Sequence, residues 1–594
     1  MKIFALLAAL ALQAACAFAA VPGDPPTARV IVAYRDGAGL TAAHPWRKGA
    51  SAADVRRASQ KRADALTRRA GVALTTGRAI GQRAQVLMAH GIDSATLASR
   101  LAADPDVAYA VVDQRRRALT VPNDPLFSAG SAVNLQTLTG GPVAGQWYLR
   151  EPTDLFRSAT NAQAAWARST GADVVVAVLD TGVLFDHPDL RSAVLPGYDM
   201  VGYGAIQAGG QDLIQKAVAS ANDGDANDPD ASDPGDWVTL AEAASGAYGS
   251  KCQPSESSWH GTRVAGIVAA ATNNGIGMAG LAYGAKVLPV RVLGKCGGYD
   301  SDITAGMLWA AGIDQAGLPG STTPAKVLNL SLGGGSPGCA AYQNAIADVT
   351  ARGAVVVAAA GNSDGGPVGV PARCPGVIAV AGLRHAGTKV GFSDLGPEIT
   401  ISAPGGNCVN SGLGQPCLYP ILTTSNSGLR GPAAGGSRYT DSFDISVGTS
   451  FATPMVAATA ALILSVRPDL SPDQVKSALQ SSARPFPTSG ADNSIVPFLE
   501  VRRCDQPNRF DPNSEKDNYE RDTQCYCTTA LCGAGMLDAA VALTVAQALP
   551  SVVTPAQPSD GGGGALSWPW LLALALATAL LSARPRRRPS VVVG

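Results

Sequence analysis

Three short segments of the chain carry the residue types that acyl-transfer chemistry uses. In Val178-Leu179-Asp180-Thr181-Gly182 an apolar run ends in a carboxylate and a tight turn. In His260-Gly261-Thr262-Arg263-Val264-Ala265-Gly266 an imidazole heads an Ala-rich helical stretch. The positive end of the helix dipole there favours the neutral base. In Gly448-Thr449-Ser450-Phe451-Ala452-Thr453-Pro454 a glycine permits a sharp turn, and a serine then opens an apolar helix. That placement exposes the hydroxyl and aims backbone N–H groups at a reacting carbonyl. Each residue alone has a plainer explanation: a structural strand-end aspartate, a structural histidine, a serine helix cap. Together they complement one another. Serine is a weak nucleophile until a neighbouring base takes its proton. Histidine titrates near neutrality and suits that role. A carboxylate holds the imidazole in the right tautomer and stabilises its charged form.

The elements that must position these residues are legible as apolar runs. Val174–Leu179, Val287–Leu293, Val327–Leu332, Ala354–Ala360 and Val377–Ala381 are apolar on both faces, as strands of a buried parallel sheet are. Helical stretches such as Thr262–Ala271 and Ile303–Ala311 lie between them. The expected fold is α/β, a parallel sheet flanked by helices, with its site at the carboxyl ends of the strands. Ahead of it, Ala28–Tyr34 reads as a strand, Ser51–Arg69 and Ser94–Ala102 as helices, and Asp106–Asp113 as a second strand. This predicts a small α+β domain ending at Arg115-Arg116-Arg117.

The 594 residues are 46% hydrophobic and 15% charged, which supports a sizeable core and argues against a disordered chain. Lys+Arg and Asp+Glu balance at 46 each, without the basic surplus of a nucleic-acid binder. Residues 1–19 read as an export signal: Lys2, an apolar stretch, and the small-x-small site Ala17-Phe18-Ala19. A lipoprotein signal ending at Cys16 is disfavoured by Gln13. Removing Cys16 leaves ten of the eleven cysteines, an even number that reads as disulfides in an exported chain. A zinc site at Cys525, Cys527 and Cys532 lacks tetrahedral spacing with histidine. Neighbours along the chain suggest Cys408 with Cys417, Cys252 with Cys296 and Cys339 with Cys374; sequence does not fix the pairing. Residues 549–564 are a Pro/Ser/Gly linker ending in four glycines. Residues 565–594 hold an apolar segment near the length of a membrane span, then an arginine cluster expected on the cytoplasmic side.

D-T-G, H-G-T-x-V-A-G and G-T-S-x-A-x-P, in that order, resemble the motifs of the subtilisin superfamily of serine peptidases. The resemblance runs from about Asn123 to Leu543. It implies a secreted serine endopeptidase over residues 121–548, with Ser450 as nucleophile, His260 as general base and acid, and Asp180 as orienter. It implies that Asn362, in Ala358-Ala359-Ala360-Gly361-Asn362, donates its amide to the oxyanion beside the Ser450 N–H. Ser331, Leu332, Gly333 and Gly334 resemble the edge that pairs with an extended substrate. Gly369, Val370 and Pro371 resemble the primary pocket, roomy for an apolar side chain, and Asp300 a more distant subsite. A structural calcium is implied at Asp124, Asp189 and Asn274 with the carbonyls of Ile276 and Met278. The acidic run Asp223, Asp225, Asp228, Asp230, Asp233, Asp236 reads either as a second calcium site or as a solvated loop. No catalytic metal is expected. Residues 20–120 resemble an inhibitory propeptide, cut between about Arg117 and Val121; a non-inhibitory accessory domain is the alternative. The C-terminal tail resembles a bacterial sorting signal that holds the protein in the membrane until clipped; a permanent anchor is the alternative. Partners expected are protein or peptide substrates and the propeptide, with the enzyme a monomer. Arg263, Asp394 and the insertion Pro485–Cys532 depart from the common pattern. The rival class is a binding module that keeps the fold without catalysis. Other serine hydrolases are disfavoured because their Ser-first motif order is missing.

Overall fold

A computed structural model describes residues 27–47, 49–113, 121–128, 144–335, 338–408, 417–491, 501–504 and 524–551. The export signal, the proposed cleavage region before Val121, most of the Pro485–Cys532 insertion and the C-terminal tail lie outside the described residues. The chain forms two compact units that divide after Ala118.

The first unit holds β1 (Thr27–Tyr34), α1 (Ala52–Ala70), β2 (Thr75–Ile80), β3 (Ala84–His90), α2 (Ser94–Ala102) and β4 (Val107–Val112). Ser51 caps α1 by accepting from Asp54 N, and Gly71 ends it in the left-handed region at φ 66°. The antiparallel sheet runs β2-β3-β1-β4. Val30, Val32, Leu87, Leu66, Leu97 and Leu101 form its core. The four expected elements are present. The β2–β3 hairpin was not expected, because Thr-Thr-Gly-Arg-Ala-Ile and Ala-Gln-Val-Leu-Met-Ala-His carry little β-propensity or clean alternation.

The second unit is built on β5 (Val175–Asp180), β6 (Tyr198–Asp199), β7 (Lys286–Arg291), β8 (Val327–Leu330), β9 (Val355–Ala359), β10 (Val377–Leu383) and β11 (Ile399–Pro404). Their order is β11-β10-β9-β8-β5-β7-β6, and every pair is parallel. Successive residues of β5 feed opposite layers, as strand geometry requires. Val176 and Val178 enter one core, with α3 (His260–Ala269), α6 (Thr449–Val466), α7 (Pro472–Ser481) and α8 (Ala539–Ala548). Ala177 and Leu179 enter the other, with α4 (Asp300–Ala310) and α5 (Gln343–Ala351). The sheet is therefore covered on both faces, and α6 is long and apolar because it crosses the middle of the core. Five disulfides form among the described residues: Cys252–Cys296, Cys339–Cys374, Cys408–Cys417, Cys504–Cys525 and Cys527–Cys532. The first three are the pairs that chain proximity suggested.

Candidate active site

β5 ends at Asp180, which is fully buried. Its carboxylate accepts from Thr181 N (2.8 Å) and receives His260 Nδ1 at 2.8 and 2.9 Å from its two oxygens. Two glycines make this meeting possible. A Cβ on Gly261 would lie 2.1 Å from the Gly182 carbonyl oxygen, so only glycine lets the start of α3 approach the strand end. Gly182, at φ 101°, packs against the backbone of Ala231 and Ser232. Trp259 enters α3 with φ 52° and is held by its Nε1 donating to the Gly428 carbonyl (2.9 Å). Burial opposes a charged imidazole, but the charge and hydrogen bond of Asp180 outweigh it and raise the His260 pKa.

Ser450 is the second residue of α6. Its hydroxyl donates to the Ser331 carbonyl (3.0 Å), and the Ser331 hydroxyl donates to the Ser450 carbonyl (2.7 Å). Ser450 is thus docked against the residue that follows β8. Asn362 Oδ1 accepts from Thr449 N and Thr449 Oγ1 (both 2.9 Å), which fixes the amide and leaves Nδ2 to donate. A Cβ on Gly448 would lie 3.5 Å from Asn362 Nδ2 and 3.7 Å from Ser450 N. The two donors therefore border one small volume, as an oxyanion site requires. Asp394, the residue that departs from the usual asparagine or serine, braces this loop. Its Oδ1 accepts from Ser363 N (2.8 Å), and its N–H donates to the Gly361 carbonyl (3.0 Å). Burial pushes its carboxyl up to about 6.

His260, Ser450 and Asn362 line one cleft of about 720 Å³ together with Ser331, Leu332, Gly333, Gly369 and Val370. Pro371 is not among its lining residues. Gly334 and Val370 exchange backbone hydrogen bonds (3.0 Å each), which ties the two walls together. Asp300 also lines the cleft, where its carboxylate accepts from Tyr342 OH (2.6 Å).

Three of the expected calcium ligands, Asp124, Asp189 and Asn274, are joined by hydrogen bonds. Asp189 Oδ1 accepts from Asn274 Nδ2 (2.8 Å), and Oδ2 accepts from Met278 N (2.9 Å) and Tyr439 OH (2.8 Å). Asp124 takes the N–H groups of Asn273 and Asn274 (2.9 and 3.2 Å), and Ile276 sits on the same loop. Burial pushes the Asp124 carboxyl up, backbone donors oppose this, and the charge of Asp189 adds to the rise. Among the described residues no basic side chain pairs with either carboxylate. Two buried carboxylates without a basic partner fit a hard cation. Tyr439 was not expected here; an isolated tyrosine on a short distant strand carries no motif.

The acidic run divides. Asp223 joins Asp199 on the buried Arg291. Asp228 accepts from Asp230 N (2.6 Å), and Asp230 accepts from Ser232 N (2.9 Å), as turn-forming aspartates do. Burial, reinforced by Asp225, pushes Asp228 up to about 6. Asp233 does not join Asp225, Asp228 and Asp230 in a ligand set. It is 2% exposed and accepts from Thr181 Oγ1 (2.8 Å) and Gly235 N (2.9 Å). Its carboxylate faces the turn after β5 instead.

The sequence model of the subtilase family, a peptidase family, matches residues 171–516. The chain belongs to this family. An extracellular protease of Xanthomonas campestris is 39% identical over 397 residues, 66% of this chain and 58% of that protein. An extracellular basic protease of Dichelobacter nodosus is 37% identical over 368 residues, 61% of this chain and 52% of that protein. The chain thus spans a little over half the length of these two relatives. Thermitase of Thermoactinomyces vulgaris is 30% identical over 320 residues, 54% of this chain and 84% of that protein. A solved protease structure from Pseudoalteromonas arctica has a TM-score of 0.54 at 37% identity, covering 72% of this chain and 100% of its own.

Two outcomes are expected if these residues act as the motif resemblance implies. Asn362→Ala then lowers kcat by about 10²–10³-fold, measured against wild type in steady state, because one oxyanion donor is lost. With His260 as the base and its pKa raised, kcat/KM climbs with pH through an apparent pKa above the ordinary value of about 6.5. A pH–rate profile whose acid limb lies below that value contradicts the assignment.

Proposed function

We propose that the chain is an exported serine endopeptidase that hydrolyses peptide bonds in proteins through an acyl-enzyme. The observation that carries this reading is the buried Asp180 carboxylate on His260 Nδ1, with His260, Ser450 and Asn362 lining one cleft. Ser450 Oγ attacks the substrate carbonyl while His260 takes its proton. The oxyanion is held by Asn362 Nδ2 and Ser450 N–H. His260 then gives the proton to the leaving amine, and water releases the acyl group by the same steps. Export is supported by the leader in residues 1–19 and by relatives named as extracellular proteases.

The first unit serves as a propeptide that assists folding and blocks the cleft until it is cut before Val121. Its separate core and the Arg115-Arg116-Arg117 run after it support this role. The apolar segment and arginine cluster in residues 565–594 hold the precursor in a membrane until clipped near Gly561–Gly564. A structural calcium is held by Asp124, Asp189, Asn274 and the carbonyls of Ile276 and Met278. When bound it neutralises the buried carboxylates and ties the chain after Pro122 to the loop after α3.

Expression of the full chain and of its Ser450→Ala variant tests the catalytic reading. Wild type yields a species starting near Val121 and digests casein; the variant does neither. Loss of the first unit from both, with no casein digestion, contradicts it. Chelation followed by calcium titration of the Ser450→Ala protein tests the metal. The melting temperature falls on chelation and recovers with calcium but not magnesium; a melting temperature indifferent to both rejects the site.

A further inference from the structure

His260 and Gly261 open α3, where the first N–H groups have no helical carbonyl to bond. Each is taken by a hydroxyl from outside the helix. His260 N donates to Ser258 Oγ (3.3 Å), and Gly261 N donates to Thr181 Oγ1 (3.0 Å). Each hydroxyl passes its own proton to a carboxylate. Ser258 Oγ donates to Asp236 Oδ2, and Thr181 Oγ1 donates to Asp233 Oδ2, both at 2.8 Å. The remaining oxygens are engaged too: Asp236 Oδ1 by Ser258 N (2.7 Å) and Asp233 Oδ1 by Gly235 N (2.9 Å). The segment is seated under β5, where Val183 N donates to the Ala231 carbonyl (3.0 Å). A hydroxyl committed to a carboxylate cannot rotate, so its lone pair stays aimed at the amide it serves. Trp259, between Ser258 and His260, sits in the left-handed region at φ 52°, a conformation that persists only where its neighbours over-determine it.

We propose that Asp233 and Asp236 are positioning residues for the catalytic histidine, acting through Thr181 and Ser258 to fix the backbone of His260 and Gly261 against the Asp180 turn. This rests on the peptidase reading above. Neither carboxylate touches the reacting atoms; both hold the base at the geometry at which it meets Asp180.

The test uses the full chain, with active sites counted by a fluorophosphonate probe and steady-state hydrolysis of a chromogenic peptide anilide. Asp233→Ala and Thr181→Val each lower kcat per titrated site by about 10- to 100-fold, with KM within about twofold of wild type. The double variant is no slower than the slower single variant, since both break one relay. Asp233→Asn, which keeps an acceptor oxygen, restores most of the loss. Asp236→Ala and Ser258→Ala behave as a second such pair. A kcat within about twofold of wild type, a change in KM alone, or losses that multiply in the double variants overturns the proposal. Should Asp233→Ala fail to fold, the isosteric Thr181→Val decides. An inactive wild type overturns the peptidase reading and this inference with it; an active wild type with unaffected variants overturns only the inference.

Discussion

A fully buried carboxylate at the end of a central strand is the constraint around which the second unit is arranged. An isolated buried charge is strongly unfavourable, so Asp180 must be met by donors. The imidazole of His260 and the N–H of Thr181 meet it. That requirement fixes the start of α3 against the end of β5 closely enough that the residue after the histidine has no room for a side chain. The aspartate also acts on the histidine: its carboxylate meets Nδ1 and favours the charged imidazole.

The other half of the site comes from the opposite flank of the same strand ends. β8 supplies Ser331, β9 leads into Asn362, and α6 brings Ser450, so each wall of the cleft begins where a parallel strand stops. This is the general location of sites in parallel sheets. The contacts across it are reciprocal. Ser331 and Ser450 exchange hydroxyl-to-carbonyl bonds, and Thr449 holds the Asn362 amide by its oxygen. Pre-set donors of this kind need no reorganisation as charge develops on a substrate oxygen.

Around this centre, loops that a strand alone would not hold are tied down. Cys252–Cys296 joins the long segment before α3 to the loop after β7, and Cys296 itself borders the cleft. Lys295 adds an ion pair to Glu242 and lies 4.5 Å from the centre of the Trp237 ring. Such cross-links restrict the unfolded chain most where the loops they close are long. From that segment Asp236 and Ser258 line the cleft.

The sequence by itself determined the layering and the residue types its three motifs bring to the site. The three motifs carried their residue types on contiguous stretches, and strands apolar on both faces announced a covered parallel sheet before any contact was visible. The helical readings of Ser51–Arg69 and Ser94–Ala102 likewise fall within a residue of α1 and α2. Only the tertiary structure decided which side chains serve those motifs from afar. β11 escaped notice because Ile-Thr-Ile-Ser-Ala-Pro alternates polar residues that are nonetheless buried. Tyr439 reaches Asp189 from 250 positions away. Asp233 was grouped with its acidic neighbours by spacing, yet its carboxylate turns to Thr181, 52 positions back. Spacing along a chain reports which residues share a helix face or a strand, whereas the partner of a buried polar group is set by where the chain crosses itself. That crossing is a property of the folded packing, and a single sequence does not encode it in any local pattern.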